Sequence, residues 1–400
     1  MKHYFLGLAA NYSRRQRLAH TFAIGQQKDC DELKKFLAEK YQGKAVLTKN
    51  GRSALAMALK AYFEPGDEII VNGFTCYAVY EAIKAAGLIP VFVDIDKNSL
   101  NFDSESLQQI LRASYAVVAS PTSSKDSVGD RPAQSPAREK IRGIIVQNTF
   151  GNPVDIGAIE KFAKKHSLTI VEDLAHCAGV KYADGREAGT IGAATILSFG
   201  KDKSIDTISG GAVVLRERIQ KTSEMHGDFP KIKEPYLKPK ISDALRARFY
   251  PLFGAIARGL SYIRLSGPWM GLLIKIHWVE KSADNKLDLN RKISKFEAKM
   301  ALKQLQKLKK SGEGKIREFY LVKNQDEVLK ELKKAGYYFD GFWYERPVSP
   351  ERYYKKVHFP ENECPTSVEV TKKIINFPSH YTKQELAPAL KIVKDYLEDK

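Results

Sequence analysis

Hydrophobic positions in the first half of the chain form short, nearly unbroken apolar runs that alternate with amphipathic stretches. The runs are rich in Val, Ile and Leu and predict strands at 68–71, 90–94, 115–119, 143–148, 168–173, 194–199 and 211–215. Strands that are apolar on both faces are typical of a mostly parallel sheet covered by helices on both sides. The pattern therefore predicts a doubly wound α/β unit whose ligand site lies at the carboxyl ends of the strands.

Helical periodicity is clearest at residues 155–166. Ile156, Ile159, Phe162 and Ala163 recur on one face of this segment, and Asp155 stands where an N-cap is expected. Later in the chain, residues 294–335 predict a Lys-rich helical region, and residues 383–398 predict a terminal helix.

Changes in composition divide the chain further. Residues 1–217 form the predicted large domain, interrupted at 120–139 by a polar segment rich in Pro and Ser that predicts a mobile surface loop. Residues 218–285 are a basic and apolar insertion, and residues 286–400 predict a smaller α+β domain.

The charge of the chain narrows the choice of partners. Among 400 residues there are 65 Lys and Arg against 47 Asp and Glu, a net charge of +18, which favours an anionic partner. That partner could be nucleic acid, an acidic membrane surface or a phosphorylated small molecule. Zinc-ligand spacing, an aromatic RNA-binding strand and a recognition helix are all missing from the sequence, which argues against nucleic acid.

The cysteine content and the hydropathy of the sequence indicate the cellular compartment of the protein. The four cysteines are far apart and form no CxxC pair, so neither a disulfide framework nor a zinc module is predicted. The sequence lacks a convincing signal peptide and an apolar run of roughly 18–20 residues, so we expect a cytoplasmic protein.

Three motifs at predicted strand ends carry candidate chemistry. The first is NGRSAL at 50–55, where a Gly turn leads into a helix. Free backbone N–H groups and the positive helix N-terminus there form an anion site, to which Arg52 and Ser53 add donors. A simple helix cap would have the same sequence.

The second motif, VEDLAH at 171–176, ends a strand with a carboxylate. Asp173 could hold a protonated ring nitrogen and His176 could bind a neighbouring oxygen, although Asp173 could also be only a helix cap. The third motif, SFGKDK at 198–203, places Lys201 and Lys203 at a strand end, where a lysine with a lowered pKa can form a Schiff base. Local spacing does not choose between these two lysines.

Taken in order, these motifs resemble the DegT or StrS family of sugar aminotransferases, which are pyridoxal-phosphate enzymes with the fold of aspartate aminotransferase (fold type I). The resemblance extends over nearly the whole chain. Its further segments are DELKKF at 31–36, PGDEIIV at 65–71, PVFVDID at 90–96, NTFGNPVDIGAI at 148–159, Gly210 with Gly211, and the stretch from Asn290 to Leu305. The resemblance implies a three-layer large domain with a mostly parallel sheet and a smaller C-terminal α+β domain.

The resemblance also implies roles for individual residues. The family's SFxxxK spacing makes Lys203, rather than Lys201, the lysine bonded to pyridoxal phosphate, and Asp173 matches the partner of the pyridine nitrogen. The phosphate-binding positions match Gly51, Arg52, Ser53 and Ser198. Asn290 matches an asparagine that reaches the active site of the partner subunit, which implies a homodimer with shared sites.

Four positions depart from the family pattern. Arg52 replaces a threonine and adds a charge expected to face the phosphate, and His176 replaces a glutamine that binds the cofactor's phenolic oxygen. Ser209 replaces a glutamate. The aromatic residue that usually stacks on the cofactor ring corresponds to Cys76, so Tyr77 or another residue is expected to stack there.

The function implied is transfer of an amino group, with glutamate as expected donor, to a nucleotide-linked keto sugar in amino-sugar or surface polysaccharide biosynthesis. Dehydratase members carry histidine where this chain has Lys203, so lysine favours transamination. The alternatives are an elimination or aldol-type reaction on the same cofactor, or a catalytically inactive regulatory relative. Trp343, Tyr344 and Arg346 are candidates for sugar recognition.

The insertion is long where the family has a short connection. Six apolar residues fall at helical spacing on one face, with arginines among them: Phe249, Leu252, Phe253, Ile256, Leu260 and Ile263. A basic amphipathic helix of this kind at 241–280 could bind the inner face of the membrane peripherally. It could instead pack on the small domain or across the dimer, or form a lid over the substrate.

Overall fold

The computed structural model describes most of the chain. Its described residues are 4–5, 18, 20–110, 141–217, 230, 232–262, 265–276, 278, 286–311, 314–339 and 343–398. The predicted strand at 115–119 and the predicted loop at 120–139 lie outside them. Among the described helices, none combines the length and the apolar character needed to cross a bilayer.

In the described residues, a sheet of seven strands forms the centre of the fold. Six of these strands coincide with predicted apolar runs, whereas the strand at Lys44–Thr48 was not predicted. The described strands of the chain are β1 (Tyr4–Phe5), β2 (Lys44–Thr48), β3 (Glu68–Asn72), β4 (Thr75–Cys76), β5 (Ile89–Val93), β6 (Ile141–Val146), β7 (Thr169–Asp173), β8 (Ala194–Ser198), β9 (Gly211–Leu215), β10 (Arg317–Leu321), β11 (Tyr337–Tyr338), β12 (Val348–Ser349) and β13 (Ile374–Pro378). The sheet order is β2-β9-β8-β7-β6-β3-β5, and only β9 runs antiparallel to its neighbours. The mostly parallel sheet predicted from the apolar runs is confirmed.

Helices cover both faces of this sheet. The described helices are α1 (Gln27–Tyr41), α2 (Gly51–Tyr62), α3 (Tyr77–Ala85), α4 (Ile156–His166), α5 (Ile241–Ser261), α6 (Ser266–Lys275), α7 (Lys295–Ser311), α8 (Gln325–Lys334), α9 (Glu351–Tyr354), α10 (Pro365–Thr371) and α11 (Lys383–Lys394). One apolar core joins the sheet to α1, α4 and α7, and a second core joins its other face to α2 and α3. The arrangement is a three-layer α/β/α sandwich.

The predicted helix at 155–166 is present as α4. Ile156, Ile159 and Ala163 are buried on its inner face, and Asp155 caps it by accepting a hydrogen bond of 3.0 Å from the N–H of Ala158. The periodicity that predicted this helix therefore reflects its packing against the sheet.

The C-terminal part of the chain is more mixed than its Lys-rich composition suggested. The predicted helical region at 294–335 contains α7 and α8, but strand β10 lies between them. β10 pairs with β13 in an antiparallel ladder, and Tyr320 of β10 packs against the apolar cluster that includes residues of α8 and α11. The predicted terminal helix is present as α11.

The fold brings the candidate motifs together at one edge of the sheet. Asp173 ends β7, Ser198 ends β8, and Gly51 begins α2 directly after β2. The adjacent strands β7 and β8 are parallel, so their carboxyl ends open at the same edge. A bridge between Asn50 and Gly210 closes the side of this region.

Candidate active site

A cavity of about 560 Å³ lies at this edge of the sheet. Its walls include six of the residues predicted as site residues: Gly51, Arg52, Asp173, His176, Ser198 and Lys203. The cavity therefore collects motifs that are up to about 150 positions apart in the chain, as expected at the carboxyl ends of parallel strands.

The N-terminus of α2 forms one end of the cavity. Asn50 caps the helix by accepting a hydrogen bond of 2.8 Å from the N–H of Ser53, which leaves the N–H groups of Gly51 and Arg52 ahead of the first intrahelical bond. Gly51 has no space for a side chain, because a Cβ there would lie 2.5 Å from the Cβ of Ser198. Glycine thus allows the helix N-terminus and the Ser198 hydroxyl to converge on one point, where an anion would be favoured.

Ser53 and Asn50 also tie the helix start to a later segment of the chain. The hydroxyl of Ser53 accepts a hydrogen bond of 3.0 Å from the N–H of Asp288, and the amide of Asn50 donates one of 3.1 Å to the carbonyl of Lys286. Ser53 does not line the cavity. Its hydroxyl instead holds the N-terminus of α2, which forms the phosphate cradle with Ser198, from outside the cavity.

Arg52 has a partner that the sequence did not suggest. Its guanidinium forms an ion pair with Glu81 of α3, and the Arg52 side chain is almost fully buried. The charge that was expected to face the phosphate is thus shared with a carboxylate. In this position Arg52 connects α2 to α3 and contributes its backbone to the helix N-terminus.

Two neighbouring carboxylates at the end of β7 have different surroundings. Glu172 points away from the cavity and accepts hydrogen bonds from the hydroxyl of Tyr182 and from the N–H groups of Gly189, Ile191 and Gly192. Asp173 points into the cavity, because side chains alternate along a strand. It accepts one backbone hydrogen bond, 2.9 Å from the N–H of Ala175.

Burial raises the pKa of Asp173 to about 6, and the Ala175 hydrogen bond and the nearby Lys203 oppose this rise only in part. A buried acid with few donors is well suited to receive a cationic N–H from a ligand, because such a group restores the stabilisation that burial removes. Glu172 is a structural anchor, whereas Asp173 is available for a ligand.

Lys203 and His176 meet inside the cavity. The Nζ of Lys203 lies 3.0 Å from Nε2 of His176. Burial lowers the pKa of Lys203 and lowers the pKa of His176 well below its usual range, with the Lys203 charge adding to the effect on the histidine. The histidine is therefore neutral, and burial makes the Lys203 ammonium easier to deprotonate than that of an exposed lysine.

The backbone of Phe150 determines which nitrogen of His176 carries the proton. The N–H of Phe150 points at Nδ1 of His176 at 3.3 Å, so Nδ1 accepts and the proton of the neutral ring lies on Nε2. Nε2–H then donates to Nζ of Lys203. An ammonium has no lone pair to accept this bond, so the contact stabilises the neutral amine.

A strained turn holds the Phe150 N–H in place. Phe150 has φ of 59°, Asn148 has φ of 48° and Gly151 has φ of 91°. Only glycine adopts such backbone easily, and the two other residues stay there because buried side chains hold them. The side chain of Asn148 accepts from the N–H of Val154 at 2.9 Å and donates to the hydroxyl of Tyr182 at 3.1 Å.

Lys201 is oriented differently from Lys203. Its Nζ lies 3.8 Å from a carboxylate oxygen of Asp202 and 5.5 Å from the centre of the Tyr250 ring on α5. Both lysines line the cavity, but it is Lys203 that contacts His176. The contacts favour Lys203 as the reactive amine.

Besides Ser53, two other predicted residues do not line the cavity. The ring of Tyr77 stacks on Tyr353, with centroids 4.4 Å apart, so it is directed away from the position expected for ring stacking. Asn290 is exposed on the surface, where its carbonyl accepts from the N–H groups of Tyr236 and Leu237.

An aromatic residue from the C-terminal part of the chain does reach the cavity. Trp343 stacks on His176 with centroids 5.4 Å apart, and Nζ of Lys203 lies 4.6 Å from the centre of its ring. Tyr344 also lines the cavity, whereas Arg346 forms an ion pair with Glu351. Trp343 and Tyr344 were named from the sequence for the sugar, and Trp343 lies at the lysine itself.

Arg317 was missed in the sequence. It begins β10, is buried, donates 2.8 Å to the side chain of Asn376, and its guanidinium lies 4.6 Å from the centre of the Trp343 ring. It lines a second cavity of about 640 Å³ that shares Asp202 and Lys203 with the first. The sequence shows only one arginine among many, and no local motif identifies it.

The residues present fit pyridoxal phosphate. The glycine at Gly51 leaves a cradle that a Cβ would fill, and the N–H groups and Ser198 there suit a phosphate. The amine of Lys203, whose pKa is lowered by burial, suits an aldehyde, and the buried acid Asp173 suits a pyridinium nitrogen. Each of the three chemical groups of the cofactor therefore has a matching group in the cavity.

Several known proteins are similar to this chain in sequence or in fold. The model of the DegT/DnrJ/EryC1/StrS aminotransferase family matches residues 19–226, more than half of the chain. The pleiotropic regulatory protein of Geobacillus stearothermophilus is 32% identical over 190 residues, which cover 46% of this chain and 43% of that protein. The GDP-perosamine synthase of Escherichia coli O157:H7 is 30% identical over 185 residues, with the same two coverages of 46% and 43%.

Each of these matches spans less than half the length of the curated relative. Among solved structures, the Streptococcus pneumoniae protein Spr1654 in its PMP form has a TM-score of 0.63 at 17% identity, and covers 96% of each chain. Its PLP form has a TM-score of 0.61 at 16% identity, with the same coverage. The likeness extends over the whole fold, including the C-terminal part.

Proposed function

Because this chain belongs to the DegT/DnrJ/EryC1/StrS aminotransferase family, we propose that it is a pyridoxal-phosphate-dependent aminotransferase. It moves an amino group from glutamate to a keto sugar carried on a nucleotide, in the biosynthesis of amino sugars or polysaccharides. The observation that carries the proposal is the 3.0 Å contact between Nζ of Lys203 and Nε2 of His176, in a cavity that Asp173 also lines. The name of the GDP-perosamine synthase relative supports a nucleotide-linked sugar.

In this proposal, the cavity residues hold the cofactor by its three chemical groups. Gly51, Arg52 and Ser198 receive the phosphate, the first two through backbone N–H groups, and Asp173 pairs with the ring nitrogen. Lys203 supplies the amine that bonds to the aldehyde. Bound pyridoxal phosphate supplies an electron sink for the bonds at the α-carbon of an amino acid.

The protein's own contribution to the reaction is proton transfer at Nζ of Lys203. As a neutral amine, Nζ removes the proton from the α-carbon of the donor and later returns a proton, so one atom acts as base and then as acid. His176 keeps Nζ neutral by donating from Nε2, and it is oriented by the N–H of Phe150. Trp343 covers the same region and excludes water from the amine.

The family alternatives differ in what they require of Lys203. An inactive regulatory relative, in line with the name of the Geobacillus stearothermophilus protein, would not need a neutral lysine beside a buried acid. The Lys203–His176 contact is what favours catalysis. An elimination or aldol-type reaction needs the same lysine, so only the products separate it from transamination.

We also propose that the protein acts as a homodimer. Asn290 is exposed and lies outside its own cavity, which is compatible with a role in the cavity of a second subunit. The segment that contains it is held to α2 through Lys286 and Asp288, so a dimer contact at Asn290 would adjoin the phosphate cradle.

The experiment that tests the function is a half-reaction. The protein is loaded with pyridoxal phosphate, and glutamate is added while the visible absorbance of the lysine-bound cofactor is followed. We expect this absorbance to be replaced by that of pyridoxamine phosphate, with one equivalent of 2-oxoglutarate, and to return when nucleotide-linked keto sugars are added. A Lys203→Ala variant should show neither the initial absorbance nor turnover, and Lys201→Ala serves as the matched control.

Three outcomes would contradict the proposal in different ways. A protein that takes up no cofactor would be a regulatory relative. A protein that takes up the cofactor but releases no 2-oxoglutarate would perform another reaction. Loss of the absorbance in Lys201→Ala but not in Lys203→Ala would show that the wrong lysine had been assigned.

A further inference from the structure

Exposed apolar side chains concentrate on the helical hairpin formed by α5 and α6. Ile241, Leu245, Leu252 and Ile256 of α5 are all at least one-third exposed, and Ile241 is 78% exposed. At about 100° of rotation per residue, these four positions fall within about 60° of the helix circumference. They form one apolar stripe along α5, which we name the α5 stripe.

The second helix extends this apolar surface. Leu265, Leu272, Ile274, Ile276 and Trp278 are also exposed at or after the start of α6. The hydrophobic stretch of the insertion therefore remains largely at the surface. A concentration of exposed apolar side chains marks an interaction site more often than a single exposed leucine does.

The opposite side of α5 is packed against the protein. Ala247 is buried against Phe296 and Met300 of α7, and Tyr250 is buried with Leu273 of α6. The carbonyl of Ala247 lies 3.0 Å from Nε2 of His20, which adds a polar contact on this side. Since one face is occupied by the protein, the α5 stripe is the face left for a partner, and the helix can only lie along that partner's surface.

The side chains of α5 that face outward differ from the set that the sequence pattern placed on one face. Leu252 and Ile256 face outward, whereas Phe253 turns inward, with its ring centroid 6.4 Å from Trp269 and 5.6 Å from Trp278. The apolar positions predicted as one face are divided between a buried contact with α6 and the exposed stripe.

Charge selects the partner. The described residues between 231 and 280 carry seven basic and two acidic side chains, and Lys240 and Lys275 are exposed next to the apolar positions. A second copy related by a twofold axis would place this basic surface against itself, which is unfavourable. An acidic lipid surface offers apolar chains to the stripe and negative head groups to the lysines at once.

We propose that the hairpin α5–α6 binds to the surface of membranes that contain anionic lipids, with the α5 stripe inserted at the boundary of head groups and acyl chains. The hairpin also contacts the cavity, because Ile208 lines the cavity and packs against the cluster of Tyr250 and Leu273. Binding would thus hold the cavity next to the bilayer. The proposal goes beyond the proposed transaminase activity and does not depend on it.

The test is flotation of the full-length protein with vesicles. Vesicles of phosphatidylcholine mixed with phosphatidylglycerol are compared with vesicles of phosphatidylcholine alone. We expect the wild type to float with the anionic vesicles only, and its binding to weaken as the salt concentration is raised. In Leu252→Glu/Ile256→Glu the partition coefficient should fall at least about tenfold, because two inserted apolar side chains become charged.

Further variants test whether a loss of vesicle binding is specific to the α5 stripe and how much the lysines contribute. Ile89→Glu changes a residue that is 40% exposed, close to the 41% of Leu252, but lies outside the hairpin, and it should bind vesicles like the wild type. Lys240→Gln/Lys275→Gln should weaken binding by about fivefold per lysine on anionic vesicles. Thermal unfolding of each variant shows that it is folded, as expected for substitutions at exposed positions.

Several results would overturn the proposal. These are failure of the wild type to float, equal binding to neutral vesicles, and unchanged flotation of Leu252→Glu/Ile256→Glu. A fourth is a fall in sedimenting mass in this double variant without loss of vesicle binding, which would identify a second copy as the occupant of the stripe.

Discussion

Replacing His176 tests whether the histidine keeps Lys203 neutral. In the structure, Nε2–H of His176 donates to Nζ of Lys203 at 3.0 Å, a bond that only the unprotonated amine can accept. A single such hydrogen bond contributes about 1 to 1.5 kcal/mol, which corresponds to about one unit of pKa. In His176→Phe the neutral amine loses this stabilisation, so the pKa of Lys203 should rise by about one unit.

The assay is the pH dependence of cofactor attachment. Apoprotein is mixed with pyridoxal phosphate, and the rate of formation of the lysine-bound absorbance is measured from pH 6 upward, because only the neutral amine reacts. The apparent pKa of this profile should be below that of an ordinary lysine in the wild type, since burial lowers it. It should rise in His176→Phe and stay nearly unchanged in His176→Gln, whose amide N–H can still donate.

A purely structural role for His176 would give a different result. It would lower the rate or the amplitude in His176→Phe and leave the apparent pKa where it is in the wild type. A pKa that is unchanged or lower in His176→Phe would therefore refute the tautomer assigned from the Phe150 contact. A rise of equal size in His176→Gln and His176→Phe would show that bulk, rather than hydrogen bonding, controls the amine.

Three further predictions concern the cradle and the two carboxylates of β7. Asp173→Asn should abolish transamination yet stabilise the apoprotein at pH 8 by up to about 3 kcal/mol, because the raised pKa means that ionised Asp173 destabilises the folded state. This gain in stability should shrink as the pH falls through 6 towards 4. A lower stability of the Asp173→Asn apoprotein in thermal unfolding would contradict the assignment. Glu172→Gln, by contrast, should lower the free energy of unfolding in urea by about 2 to 4 kcal/mol, because the Glu172 carboxylate accepts three hydrogen bonds from backbone N–H groups. An unchanged unfolding midpoint would show that those bonds contribute little. Gly51→Ala should weaken the binding of pyridoxal phosphate at least about tenfold, because the new Cβ would lie 2.5 Å from Ser198. The matched control is Gly200→Ala, whose Cβ would meet nothing closer than 3.4 Å. Equal affinities of the two variants in fluorescence titrations would refute the phosphate site at Gly51.

The sequence alone was sufficient for the mostly parallel sheet and for the edge of that sheet at which the ligand site was expected. Strands that are buried on both faces are typically continuously apolar, so the runs at 168–173 and 194–199 could be recognised without a structure. Once those runs were strands of one parallel sheet, their carboxyl ends had to lie at the same edge. Lys203, by comparison, was distinguished from Lys201 through resemblance to a family rather than from its spacing.

Only the tertiary structure determined which side chains and backbone groups contact one another in the site. The partner of Arg52 is Glu81, the ring beside Lys203 is Trp343 rather than Tyr77, and the proton of His176 is directed by a backbone N–H at Phe150. These contacts join residues that are 26 to 140 positions apart or depend on a left-handed backbone, and neither leaves a periodic signal. The α5 stripe shows the same limit, because the spacing of its apolar residues predicts a helix, whereas only packing against α6 and α7 determines which side of that helix faces outward.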